Sequence, residues 1–78
     1  MIYSVYVDIY LDHDVVDWDY FTMENVVCKN KLSYDEIVEI ALKNSLNDLE
    51  EIYGIGENLV KYTKATVVGA IENDCFKD

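Results

Sequence analysis

Asp12, His13, Asp14, Asp17 and Asp19 place four carboxylates and the only imidazole of the chain within eight residues. Carboxylates at that density suit a hard cation. Calcium takes about six to eight oxygens, usually from a loop with a glycine at its sharp turn. This stretch has no glycine and lacks the spacing of an EF-hand. Zinc wants clustered His and Cys, and neither Cys28 nor Cys75 is near His13. No metal ligand is assigned, and a small cation-binding regulator stands as the third functional reading. Paired carboxylates also do acid–base work, but a glycosidase sets its two acids across a cleft. A chain of 78 residues buries only roughly 60% of the surface its unfolded form exposes, which leaves little room for such a cleft. The chain is read as a non-enzyme without a cofactor.

The acids are better understood as a field. The net charge is −10, from sixteen acids against six lysines, with no Arg, Pro or Gln. Residues 1–28 hold Asp8, Asp12, Asp14, Asp17, Asp19 and Glu24 and no Lys or Arg. Nucleic acid and anionic membranes need basic patches, so neither is expected as a partner. A basic protein surface would be attracted. The competing reading is that the acids only keep a Tyr-rich protein soluble.

Seven tyrosines and one tryptophan give that field a texture. Most such rings belong to cores and half-buried sheets. Tyr6 and Tyr10, however, flank Asp8 on the polar side of an alternating stretch, and Trp18 sits between Asp17 and Asp19. Rings stack on guanidinium groups while carboxylates pair with them. The candidate partner-binding set is therefore Asp12, Asp14, Asp17, Asp19, Glu24 and Trp18, with Tyr6, Asp8 and Tyr10. The same composition also suits a homodimer face.

Gly54-Ile55-Gly56, after Ile52-Tyr53 and before Glu57-Asn58-Leu59-Val60, superficially resembles the hairpin of helix-hairpin-helix modules. In that family, turn amides hold a DNA phosphate. Here Tyr53 replaces a proline, Glu57 opposes an anion, and strand-like sequence follows. A glycine helix stop is the simpler reading. No Gly-Lys-Ser/Thr follows either, so a nucleotide loop is not indicated.

Four elements must position these groups. Residues 2–11 alternate, with Tyr3, Val5, Val7, Ile9 and Leu11 on one side, which predicts a central strand. Asp-His-Asp at 12–14 breaks it. Residues 15–28 read either way: a strand carrying a bulge near Thr22 to Asn25, or a helix capped by Asp14. Their Trp, Tyr, Phe and Val favour the strand. Ser33-Tyr34-Asp35-Glu36 is a capping box opening a helix over 33–53. Its apolar stripe is Tyr34, Ile37, Val38, Ala41, Leu42, Leu46, Leu49, Ile52 and Tyr53, spaced by three and four. Ser45 with Asp48 also reads as the cap of a second short helix. Residues 59–72 return to strand, with Thr63, Ala65, Val67, Gly69 and Ile71 on one side, and 73–78 read as a frayed tail.

The expected fold is a single α+β domain over 1–78, ββαβ. A three-stranded antiparallel sheet of order 2-1-3 carries one long helix on one face. The two cysteines then lie on opposite edges as free thiols. No signal-like segment or membrane-length apolar run appears, so a cytoplasmic setting is expected. In composition the chain resembles the small acidic inhibitors that phages encode, anti-CRISPR proteins and other anti-defence proteins among them. Side chains two apart on a strand lie roughly 6.6–6.8 Å apart, an interval close to that of phosphates. The first functional expectation is thus an inhibitor that docks its acids on the nucleic-acid-binding site of a larger basic protein and blocks that site. If phage-encoded, it would act in the host cytoplasm. A structural or assembly protein that dimerises through its open sheet face is the alternative.

Overall fold

The alternation at residues 2–11 becomes the middle of a sheet. In the computed structural model, which describes residues 1–71, β1 runs Ile2–Leu11. Tyr3, Val5, Val7, Ile9 and Leu11 are all buried on one face. β2 (Tyr20–Val27) and β3 (Val60–Ile71) flank it, both antiparallel to β1, in the order β2-β1-β3. α1 (Tyr34–Tyr53) lies between β2 and β3 in sequence and packs on the buried face of the sheet. This is the expected α+β arrangement of three antiparallel strands and one helix. The tail at 73–78 and Cys75 lie outside the described residues.

The second strand begins later than its composition predicts. Asp12 accepts the amide of Asp14 on its carboxylate at 3.1 Å, and its carbonyl accepts the amides of Val15 and Val16. These short-range bonds satisfy the backbone without a ladder partner, so residues 12–19 form a loop. The first β2 pair is Ile9 with Tyr20. The bulge expected near Thr22 is absent there, because pairing runs from Ile2–Val27 to Ile9–Tyr20 without a shift.

The irregularities fall in β3 instead. Ser4 pairs with Gly69 and Val5 with Val67; Tyr10 pairs with Tyr62 and Leu11 with Val60. Val68 and Lys61 are the extra residues. Each insertion reverses which face the following side chains take. Thr63, Ala65 and Val67 therefore share the helix side, whereas Gly69 and Ile71 cross to the opposite face. The expected five-residue alternation is broken at this point.

The helix is capped at both ends. Ser33 Oγ accepts the amide of Glu36 at 3.2 Å, and Glu36 Oε1 accepts the amide of Ser33 at 3.0 Å. That pair holds the Glu36 carboxyl below its ordinary range, chiefly through the bond from the Ser33 backbone. Gly54 ends the helix at φ 70°, where a side chain would be strained. Ser33→Ala is expected to destabilise the fold by about 1 kcal/mol, read as a lower urea midpoint with an unchanged slope.

No second cap forms at Ser45. α1 is continuous, and Ser45 is fully buried, its hydroxyl donating to the Ala41 carbonyl at 2.9 Å. The residues buried under α1 are Ile37, Ala41, Ser45 and Leu49. Two small side chains in the middle let the helix backbone come close to the strands. Leu42 and Leu46 are half-buried flanks of the core, while Tyr34, Ile52 and Tyr53 are exposed. The expected stripe was too broad at both ends.

Candidate partner-binding surface

The 12–19 loop is built around two of its own acids. The Asp12 amide donates to the Leu59 carbonyl at 2.8 Å, which ties the loop to the turn Glu57–Leu59 ahead of β3. Asp19 Oδ1 accepts the Leu11 amide at 3.0 Å and lies 2.8 Å from His13 Nε2. Asp19 is mostly covered and His13 is mostly exposed. Asp12 and Asp19 thus shape the loop, whereas Asp14 and Asp17 are exposed. Because these residues sit in a turn, the regular strand interval does not apply to their carboxylates.

Trp18 faces the helix end of the molecule. Its ring meets Tyr53 with centroids 5.1 Å apart and Tyr20 at 6.5 Å, and Tyr20 meets Tyr53 at 5.8 Å. These edge contacts clasp the loop to the C-terminal turn of α1. Trp18 remains 39% exposed, so the cluster is also surface.

Tyr6, Asp8 and Tyr10 line the sheet face that the helix leaves open. Tyr10 stacks on Tyr62 with centroids 4.2 Å apart and planes 20° from parallel. Phe21 meets Tyr10 edge-on at 6.3 Å. Burial first, then the charge of Asp8, pushes the Tyr6 and Tyr10 phenols up; a hydrogen bond with Asp8 adds to the rise at Tyr6. One Asp8 oxygen, Oδ1, is shut from solvent with no donor on it.

A groove of about 310 Å³ joins the loop to this face. Tyr10 and Tyr62 line it together with Asp12, His13, Asp14 and Lys61. The sequence offered no sign of Tyr62 or Lys61 as neighbours of Tyr10, since the bulge at Lys61 sets that register. A second cleft of about 340 Å³ lies between Lys43, Asn47 and Glu50 of α1 and Glu57. Among the described residues, no three His, Cys, Asp or Glu side chains cluster as metal ligands, and no helix is long and apolar enough to cross a membrane.

Glu24 stands apart from the other candidates. It pairs across the ladder with Val5 and so lies on the helix side. Thr22 Oγ1 donates to it at 3.3 Å. Burial, then the charge of Asp48, pushes its carboxyl above the ordinary range. The fold therefore binds this proton more tightly than the unfolded chain does. Stability is lost as pH rises through the window above the ordinary Glu value. Glu24→Gln should raise the thermal midpoint at neutral pH, with the gain shrinking as pH falls into the carboxylate range. A gain that persisted unchanged in acid would rule out charge as its cause.

The nine candidates thus fall on three surfaces: the loop with Trp18, the open sheet face, and the helix-side edge at Glu24. Comparison with known protein families, curated proteins and solved structures finds no match.

Proposed function

We propose that this chain is a small acidic binding protein of the inhibitor type. It docks its 12–19 loop on the basic, nucleic-acid-binding surface of a larger protein and keeps nucleic acid off that surface. The observation that carries this reading is the groove where the stacked Tyr10–Tyr62 pair meets Asp12 and Asp14, with exposed Asp17 further along the same loop. A guanidinium entering there finds rings to stack on and carboxylates to pair with. Lys61 and His13 are the basic side chains on the rim, and His13 is already paired with Asp19. The −10 net charge steers basic partners toward the molecule. Anti-CRISPR and other anti-defence inhibitors of phages, acting in the host cytoplasm, are the class this chemistry fits.

The test is competition. Nucleases and other nucleic-acid-binding proteins that bind this chain and release it with salt are mixed with labelled duplex DNA. Adding the chain should displace the DNA, and excess DNA should displace the chain. A stable ternary complex would reject the proposal.

A further inference from the structure

The two edges of the sheet are not alike. β3, at one edge, carries Lys61 and Lys64 and is bulged at Lys61 and Val68. Lysines and bulges both discourage a further strand from pairing at an edge. β2, at the other edge, has neither. Its eight residues hold no Lys, Pro or Gly, and their register with β1 runs without a shift. About half of their amides and carbonyls point away from β1. Among the described residues, no loop or helix backbone bonds to them. We infer that the outer edge of β2 accepts an extended segment of a partner protein as a fourth strand, and that this segment alternates apolar with basic residues.

The side chains on the two faces of β2 select that pattern. On the open face Phe21, Met23 and Val27 are each more than half exposed. An added strand lies about 4.8 Å away, so its apolar side chains cover part of this row. On the helix face the same edge presents Glu24, and Asp48 of α1 is close enough for its charge to act on that carboxyl. Among the described residues, neither acid has an ion-pair partner. A residue directly opposite Glu24 has its Cβ about 4.5–5.5 Å away, so a lysine or arginine there meets the charge of both carboxylates. An acidic segment is refused at the same place. A second copy of β2 is refused too, because it brings Glu24 of its own and no base.

Backbone bonds along the edge supply affinity in such a pairing, and the alternating side chains choose the segment. The inference does not rest on the loop reading. The loop offers exposed charge on a turn, whereas the β2 edge offers unpaired backbone, and the variants that test one leave the residues of the other in place.

The probe is a short blocked peptide of alternating Val and Lys, with a Val and Glu peptide of the same length as its counterpart. Calorimetry measures the affinity of each, and amide hydrogen exchange of the chain locates the contact. The Val/Lys peptide should bind about tenfold tighter or more, and it should slow exchange at the β2 amides that point away from β1. N-methylation of every interior residue keeps the peptide's side chains and removes its edge donors, so binding should fall about tenfold or more. Glu24→Lys should shrink the preference for Val/Lys about tenfold. Asp35→Lys makes the same charge change about 20 Å from Asp48 along α1 and should shrink it far less. Circular dichroism checks folding, and Glu24→Gln serves if Glu24→Lys does not fold. No binding at about 1 mM Val/Lys peptide, unchanged exchange at β2, or equal binding of the methylated peptide overturns the inference. So does an equal effect of the Glu24 and Asp35 variants. Slowed exchange at β2 with rising protein concentration alone would assign the edge to a second copy, and the inference would fail.

Discussion

Leu49→Ala is expected to remove about 2–5 kcal/mol of stability, and Leu42→Ala distinctly less. Both leucines sit on the same helix and have the same chemistry. Leu49 has no exposed surface and belongs to the buried cluster with Ile9, Leu11 and Ile55. Removing the isopropyl group beyond its Cβ leaves a cavity in the middle of that cluster. Leu42 is a half-buried flank of that cluster, so water and neighbouring side chains take up its space. A domain of this size holds about 5–10 kcal/mol in all, so Leu49→Ala stands to remove a large part of it. The measurement is a pair of urea titrations with matching slopes. Equal shifts for the two leucines would mean that α1 is rotated about its axis from the position described.

Which features were legible in the sequence follows from the range of the forces that set them. The β1 alternation and the Ser33–Glu36 box are local patterns, and both appear in the structure where the sequence placed them. The strand order followed from the short first connection and the single helix. Ser45 reads as a cap in sequence because a serine followed three residues later by an acid is the capping pattern, but it caps only where a helix begins. In mid-helix its hydroxyl bonds back to Ala41 and its small volume becomes a packing asset. The bulges at Lys61 and Val68 depend on which residue of β1 is opposite, information that no local pattern contains. The same holds for the Tyr10–Tyr62 stack, and so for the groove. The division of the acids was also hidden. Asp17 and Asp19 look alike in sequence, but one is exposed and the other holds the Leu11 amide.

That division decides how the loop must be tested. Replacing Asp17 together with Asp19 would confound charge with structure, since Asp19 anchors Leu11 and His13. Asp14→Lys with Asp17→Lys reverses only exposed charges, so folding should change by no more than about 0.5 kcal/mol per site. Affinity for a basic partner should fall at least a hundredfold, about 2.7 kcal/mol. Much of the loss should be in the association rate, and it should shrink as salt rises. The control makes the same net-charge change elsewhere. Asp35→Lys with Glu39→Lys alters exposed acids near the start of α1. The Trp18–Tyr53 contact puts the loop at the other end of that helix, roughly 20–27 Å away at 1.5 Å per residue, beyond two Debye lengths at physiological salt. A local site predicts a far smaller loss for the helix pair than for the loop pair. Equal losses would show that the partner responds to net charge alone, and the 12–19 loop would then lose its claim to be the binding site.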